Sequence, residues 1–263
     1  MTESVLLNTD SRGVATLTLN RPEKHNAFDD IIIAELTHKL VQLNNDKKVR
    51  IVVLTGAGKS FSAGADLNWM RSVAKFSEEE NIEDALKLAV LMDVLDTLRK
   101  PTIARVNGAA YGGGVGLVAS CDIAIAAENA KFCLSEVRLG LVPSIISPYV
   151  IAAIGAHQAR RYFLTADAIS AQKAHEIGLV HEIVAADRLD EAVNREVDLL
   201  LKAGPKAITA CKEIIAANSA TSVSTRRALK QKTAQLIAQL RVSEEGQEGL
   251  SAFLEKRDPE WTK

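Results

Sequence analysis

The sequence predicts an α/β protein whose strands pair mostly in parallel. Residues 50–55, 103–106 and 122–126 are short, largely apolar runs rich in β-branched side chains and without polar alternation. That is the pattern of strands buried on both faces. Gly56 and Gly58 close the first run. Between the runs lie longer stretches of helical character, and alternation of buried strand with helix specifies parallel pairing through crossover helices.

Taken in order, residues 5–8 and 14–19 read as two strands around a turn at Ser11-Arg12-Gly13. Leu17 and Leu19 alternate with Thr16 and Thr18, as in a half-buried hairpin. Residues 21–27 form a loop opened by Arg21-Pro22, a pair biased away from helix. Asp29 or Asp30 is placed to cap a helix over 31–44, in which Ile32, Ile33, Leu36, Leu40 and Leu43 recur near the helical period. After the strand at 50–55, residues 61–66 lead into a helix beginning at 67–70. Residues 76–80 are polar and expected to be mobile, and a long helix over 79–99 ends before Pro101.

The strand at 103–106 runs into a turn and then into Gly112-Gly113-Gly114. A helix of small apolar residues follows, then the strand at 122–126, a short strand at 131–134, and Ser135-Glu136. Helices are expected over 144–154 and 159–164, a capped helix over 170–178 closing on Gly178, and a short strand over 179–184. From Asp187 onward the pattern is helical, broken at Gly204-Pro205. Two parts result: a core over 1–195 and a helical region over 196–263 that must bury its apolar side on the core or on another subunit.

Composition narrows the function. The chain has 263 residues, 47% hydrophobic and 25% charged, ordinary for a soluble globular protein with a proper core. A net charge of −1 gives no electrostatic case for nucleic acid or an anionic membrane. The three cysteines have no metal-ligand spacing, so no metal is expected; Cys121 and Cys133 read as buried small hydrophobes. The N-terminus lacks the pattern of a signal peptide, and no apolar run reaches the ~18 residues of a membrane span. These features point to a reduced, cytoplasmic setting.

The chemistry gathers between residues 103 and 140. Glycines after a strand let backbone N–H groups approach a ligand closely. A helix opening there aims unpaired N–H groups at negative charge. Glu136, about twenty residues on and at the end of a strand, is placed to face the same spot. Fixed donors with an acid or base beside them suit reactions that pass through an oxyanion.

Three separated motifs then line up with one family. Phe61-Ser-Ala-Gly-Ala-Asp-Leu67, Asn107-Gly-Ala-Ala-Tyr-Gly-Gly-Gly114 and the run from Cys121 to Glu136 resemble the crotonase superfamily of enoyl-CoA hydratases and isomerases. The likeness continues through residues 20–27, 174–179 and 251–257, in the family's order. It implies a spiral of ββα units with a C-terminal helical trimerisation region, so a homotrimer or a dimer of trimers. It also implies acyl-CoA thioester substrates, with coenzyme A entering as part of the substrate and no separate cofactor. By position, the N–H groups of Ala65 and Gly113 would form the oxyanion hole, with Gly112, Asp66 and Leu67 beside them. Ala63 would meet the adenine, Lys24, His25 and Ala27 would line the coenzyme path, and Phe253 and Lys256 would approach the coenzyme from the C-terminal helix.

The sequence departs from that pattern in one place that matters. The family's usual hydratase carries a glutamate two residues after the glycine triplet; here that position is Gly116, which is expected to leave room and supply no base. Glu136 matches the second glutamate. The glycine-rich run that commonly follows is replaced by Val-Pro-Ser-Ile-Ile-Ser-Pro-Tyr over 142–149. With this departure the chain resembles the bacterial hydratases of 3-methylglutaconyl-CoA and isohexenylglutaconyl-CoA, which act in leucine and terpene degradation. The resemblance therefore implies hydration of a branched glutaconyl-type thioester with Glu136 as the single acid/base. A Δ3-Δ2-enoyl-CoA isomerase and a non-catalytic acyl-CoA-binding homologue are the alternatives. Trp69, Ser144, Ser147 and Tyr149 are candidates for the acyl pocket, and Arg138 and Arg160 for a distal carboxylate.

Overall fold

The computed structural model describes residues 3–219 and 223–260. Strands β1 (Val5–Thr9) and β2 (Val14–Leu19) form the antiparallel hairpin. Helix α1 (Asp30–Asn45) starts at Asp29, whose side chain accepts from the Ile32 N–H, and buries all five residues placed on its apolar face. The chain then repeats one unit three times. Each repeat lays a strand buried for most of its length and turns into a three-residue strand. The pairs are β3 (Ile51–Gly56) with β4 (Ser60–Ser62), β5 (Thr102–Val106) with β6 (Ala109–Tyr111), and β7 (Ile123–Ala127) with β8 (Lys131–Cys133).

Helices α2 (Leu67–Val73) and α3 (Glu78–Asp96) follow the first pair, α4 (Gly113–Ala119) the second and α5 (Ser147–Thr165) the third. Strand β9 (Ile169–Ser170), helix α6 (Ala171–Glu176) and strand β10 (Glu182–Val184) complete the core. The long strands join a six-stranded sheet ordered β1-β2-β3-β5-β7-β10, and the short ones a four-stranded sheet ordered β4-β6-β8-β9. Pairing is parallel except for β1 with β2 and β8 with β9. This is the ββα spiral.

Four local readings change. Residues 109–111, read as part of a turn, form β6, because their backbone groups complete a parallel ladder between β4 and β8. Residues 76–80 are fixed by a capping box: Glu80 N–H donates to Ser77 Oγ at 3.3 Å, and Ser77 N–H to Glu80 Oε2 at 2.8 Å. The helices expected over 144–154 and 159–164 run on as α5, bent where Gly155 takes φ 73° and ψ 156°. The strand expected over 179–184 is confined to 182–184.

Helix α7 (Leu189–Lys202) lays Leu189, Ala192, Val193 and Val197 against Ile51, Val53, Ile103 and Ile125 of the large sheet. Each such fully buried aliphatic side chain contributes about 1.5–3 kcal/mol. The expected boundary at 195/196 falls inside this helix. Helix α8 (Pro205–Asn218) is mostly exposed, with Ile214 at 61% and Ile215 at 68%. Helix α9 (Val223–Val242) lies along α3, held by Lys230–Asp93 at 2.8 Å and Arg241–Asp84 at 3.1 Å. Helix α10 (Glu244–Glu255) closes on α2 and on the turn after β8. No helix among the described residues is long and apolar enough to cross a membrane.

Candidate active site

A cavity of about 970 Å³ opens between the loop at 21–28, the segments after β4, β6 and β8, and the C-terminal helices. The loop that forms its outer wall is held by Asn26, which is buried with φ 56°. Asn26 Nδ2 donates to the carbonyls of Ala57 and Ser60 at 2.8 and 2.7 Å, and its Oδ1 accepts from the Arg21 N–H at 3.0 Å. These bonds pin the loop to β4. Asp66 then caps α2, accepting from the N–H groups of Asn68 and Trp69 at 2.8 and 3.3 Å. Arg21 and Lys24 reach its other oxygen at 3.0 and 2.9 Å. Burial works against the Asp66 charge, but the Lys24 hydrogen bond, the two backbone donors and the Lys24 charge hold its carboxyl below the usual range.

Two backbone donors belong to residues that line the cavity further in, Ala65 and Gly113. Phe28 pairs with the strand-like segment at Ala65: Phe28 N–H donates to the Gly64 carbonyl at 2.8 Å, and Asp66 N–H to the Phe28 carbonyl at 2.9 Å. The Ala65 N–H, between them, takes no part in that ladder. Gly113 is the first residue of α4, where an N–H has no helical acceptor. Neither N–H donates to another of the described residues. Phe28 also positions the second donor, since a Cβ on Gly113 would lie 2.4 Å from Phe28 Cζ. The sequence reading passed over Phe28; its signal was a lone aromatic next to a cap, which does not reveal a contact with residue 113.

Glu136 opens the 3₁₀ turn Glu136–Leu139 after β8 and lines the same cavity. Gly112 takes φ 50° and ψ −121°, and a Cβ there would lie 3.3 Å from Glu136 Oε1. The carboxylate thus packs against the backbone that leads into the Gly113 donor. Glu136 as a residue is half-buried, but its Oε2 is shielded from solvent and is the one buried side-chain N or O atom lacking a partner among the described residues. Desolvation pushes this carboxyl up to about 7, with only a backbone hydrogen bond opposing it.

Gly116 requires a correction. It is buried in α4 and is not among the cavity walls. The room expected beside it is filled: a Cβ there would lie 2.2 Å from Ile146 Cγ2 and 3.2 Å from Met92 Cε. An apolar wall residue, Ile146, stands where a side chain from position 116 would enter.

The cavity walls include Lys24, His25, Ala27, Ala63, Ala65, Asp66, Leu67, Gly112, Gly113, Glu136 and Phe253. They also include Trp69, Ser144 and Arg138. Tyr149 and Lys256 do not line it: Tyr149 packs against the main core, and Lys256 is exposed in the left-handed C-cap of α10. Ser147 and the exposed Arg160 are also absent from the walls. No group of three or more His, Cys, Asp or Glu able to hold a metal occurs among the described residues.

Comparison with known proteins agrees with this geometry. Residues 9–263 match the family described as enoyl-CoA hydratase/isomerase. The crystal structure of an enoyl-CoA hydratase from Shewanella pealeana superposes with a TM-score of 0.80 and 46% identity, covering 98% of this chain and 96% of that one. The 2,3-dehydroadipyl-CoA hydratase of Escherichia coli is 33% identical over 98% of both chains. The 1,2-epoxyphenylacetyl-CoA isomerase of the same organism is 33% identical over 100% of this chain and 99% of its own. The spiral of ββα units, the glycine-led helix and the match across nearly the whole length leave one conclusion: this chain belongs to the enoyl-CoA hydratase/isomerase family.

Proposed function

We propose that the protein is an enoyl-CoA hydratase that adds water to a branched glutaconyl-type thioester, 3-methylglutaconyl-CoA, with Glu136 as its single acid/base. One observation carries the reading: a desolvated carboxyl whose Oε2 has no partner shares a cavity with two backbone N–H groups that have no acceptor among the described residues. The thioester carbonyl accepts hydrogen bonds from Ala65 and Gly113. Water attacks the β-carbon as its proton passes to the Glu136 carboxylate, and the C=C electron pair moves onto the thioester as an enolate. The two N–H donors stabilise that oxyanion, a contribution of about 3 kcal/mol per donor in comparable sites. Protonated Glu136 then gives its proton to the α-carbon, so one water is gained and the residue returns to its starting state. An acid/base serves both steps best when it titrates near the working pH.

The outer wall suits the coenzyme: Ala63 for the adenine, Lys24, His25, Ala27 and Leu67 along the path, and Phe253 from α10, with Asp66 holding Lys24 in place. Lys256 has a role there only from a neighbouring subunit. A homotrimer or dimer of trimers built through 196–263 is consistent with the exposed isoleucines of α8. The reading also takes the protein as cytoplasmic and metal-free, with coenzyme A arriving only as part of the substrate.

A second reading, Δ3-Δ2-enoyl-CoA isomerisation, is favoured by Ile146. An apolar group at the position of a second carboxylate leaves one group able to move a proton between carbons. The two readings separate in an assay of 3-methylglutaconyl-CoA, crotonyl-CoA and a 3-enoyl-CoA, following thioester absorbance and product mass. Gain of one water on the glutaconyl substrate supports the hydratase. A moved double bond without mass change selects the isomerase, and binding without turnover of any of the three selects a non-catalytic homologue.

A further inference from the structure

Several cationic side chains line the cavity, and most have a partner and stand exposed at its rim. Lys24 Nζ donates to Asp66 at 2.9 Å, Arg71 Nη1 to Asn68 at 2.8 Å, and Arg138 Nη2 to the Ala166 carbonyl at 2.7 Å. Arg257 is paired with Glu248 and Glu255 at 2.6 and 2.7 Å. Arg241 differs. It sits on α9 one turn after Ile237, and both line the cavity together with Leu250 and Trp69. Its side chain is 13% exposed and its guanidinium carbon lies 5.8 Å from the centre of the Trp69 ring.

Only one edge of that guanidinium is anchored. Nη1 donates to Asp84 Oδ2 at 3.1 Å and to Asn81 Oδ1 at 3.4 Å, both on α3. Nε and Nη2 donate to none of the described residues. The side chain lines the cavity, so this unanchored edge is the part left for a ligand. A fork held rigid on one edge and open on the other is the arrangement that takes a carboxylate through two parallel N–H···O bonds. Asp84 offsets the formal charge while the cavity is free, and the open edge remains for an incoming anion.

We propose that Arg241 selects thioesters whose acyl chain ends in a carboxylate, binding that carboxylate through Nε and Nη2. This rests on the reading of the cavity as an acyl-thioester site and moves the distal-carboxylate role from Arg138 and Arg160 to a residue of α9. Arg138 is exposed and donates to the Ala166 carbonyl, and Arg160 lies outside the cavity. The selecting group therefore belongs to the C-terminal helices, while the proton-moving and oxyanion-binding groups belong to the spiral.

The test is calorimetric binding of glutaryl-CoA and valeryl-CoA to the full chain. These saturated thioesters have equal carbon number, and only one ends in a carboxylate. Glutaryl-CoA is expected to bind about 10- to 100-fold tighter, the range of a charge-assisted hydrogen-bonded pair. Arg241→Gln, which keeps an amide able to donate to Asp84, is expected to bring the ratio close to one, with thermal unfolding as the check on its fold. Equal binding of the two thioesters by the unmodified protein overturns the inference without touching the acyl-thioester reading. A variant that weakens both alike also overturns it, since that is the signature of a residue that merely fixes α9 on α3. Binding of neither thioester overturns the acyl-thioester reading and this inference with it.

Discussion

Asp66 and Glu136 line the same cavity, and their surroundings drive them in opposite directions. At the mouth, Asp66 caps α2 and meets Arg21 and Lys24, so its carboxyl stays charged. Further in, Glu136 Oε2 meets neither water nor a donor, and desolvation pushes its carboxyl up to about 7. The first carboxylate is spent on holding the walls in place. The second has an oxygen with no partner among the described residues, and its desolvation suits it to exchanging protons near neutral pH. Both residues follow short strands of the four-stranded sheet, so the difference comes from what the next loop brings to each, not from the scaffold.

Glu136→Gln breaks the comparison most severely. Loss of the acid/base is expected to lower turnover by about 10²–10⁴-fold with the fold intact. The same variant has an opposite effect on stability. The Glu136 carboxyl sits above its ordinary value of 4.5, so the folded state holds the extra proton between 4.5 and about 7, and stability falls as pH rises through that window. The full displacement corresponds to about 3 kcal/mol. Urea unfolding at pH 8 should therefore show the variant more stable than the parent, with the gap closing below pH 5.

Gly113→Ala comes next. The new Cβ meets the Phe28 ring at 2.4 Å and shifts a donor from its place. A fall in kcat of about 100-fold is expected, as for one lost oxyanion donor, with about 1–3 kcal/mol of overpacking. Steady-state kinetics and denaturant unfolding read the two effects separately.

Asp66→Ala tests the mouth and should act on stability and KM more than on kcat. It removes the α2 cap, worth about 1 kcal/mol, and leaves Arg21 and Lys24 without the carboxylate they share. Because the Asp66 carboxyl lies below its usual value of 3.8, its contribution is present above that pH and lost as pH falls through its lower folded value. The stability gap between parent and variant should thus be full at pH 7 and shrink in strong acid. Lys24→Ala is the mildest change. Its side chain is 42% exposed and Asp66 keeps Arg21, so a KM rise of a few-fold with unchanged kcat is expected.

Much of this was legible in the sequence where the signal is local. The continuous apolar runs specified β3, β5 and β7, the Asp-led period specified α1, and the glycine run specified where α4 begins. The short strands were harder. Three residues carry no period, and β6 exists because its neighbours supply a ladder. Polarity alone makes residues 76–80 look mobile, although Ser77-x-x-Glu80 carries the capping-box pattern that fixes them. What the sequence did not reveal is contact between distant positions. Gly116 announces a missing carboxylate, but only the fold shows Ile146 filling its place. Arg241 sits in a helix without motif, and its value comes from Asp84, Asn81 and Trp69, all more than 150 positions away.

Glu136, with its Oε2 shielded and unpartnered among the described residues, should exchange a proton at neutral pH. Titration of its side-chain carboxyl by ¹³C NMR, with Glu136→Gln identifying the signal, tests this directly. A midpoint near 7 is expected, with the kcat/KM profile bending at the same pH. A midpoint near the ordinary 4.5 would mean that the carboxyl is solvated or paired in solution, and the single-carboxylate account would fail.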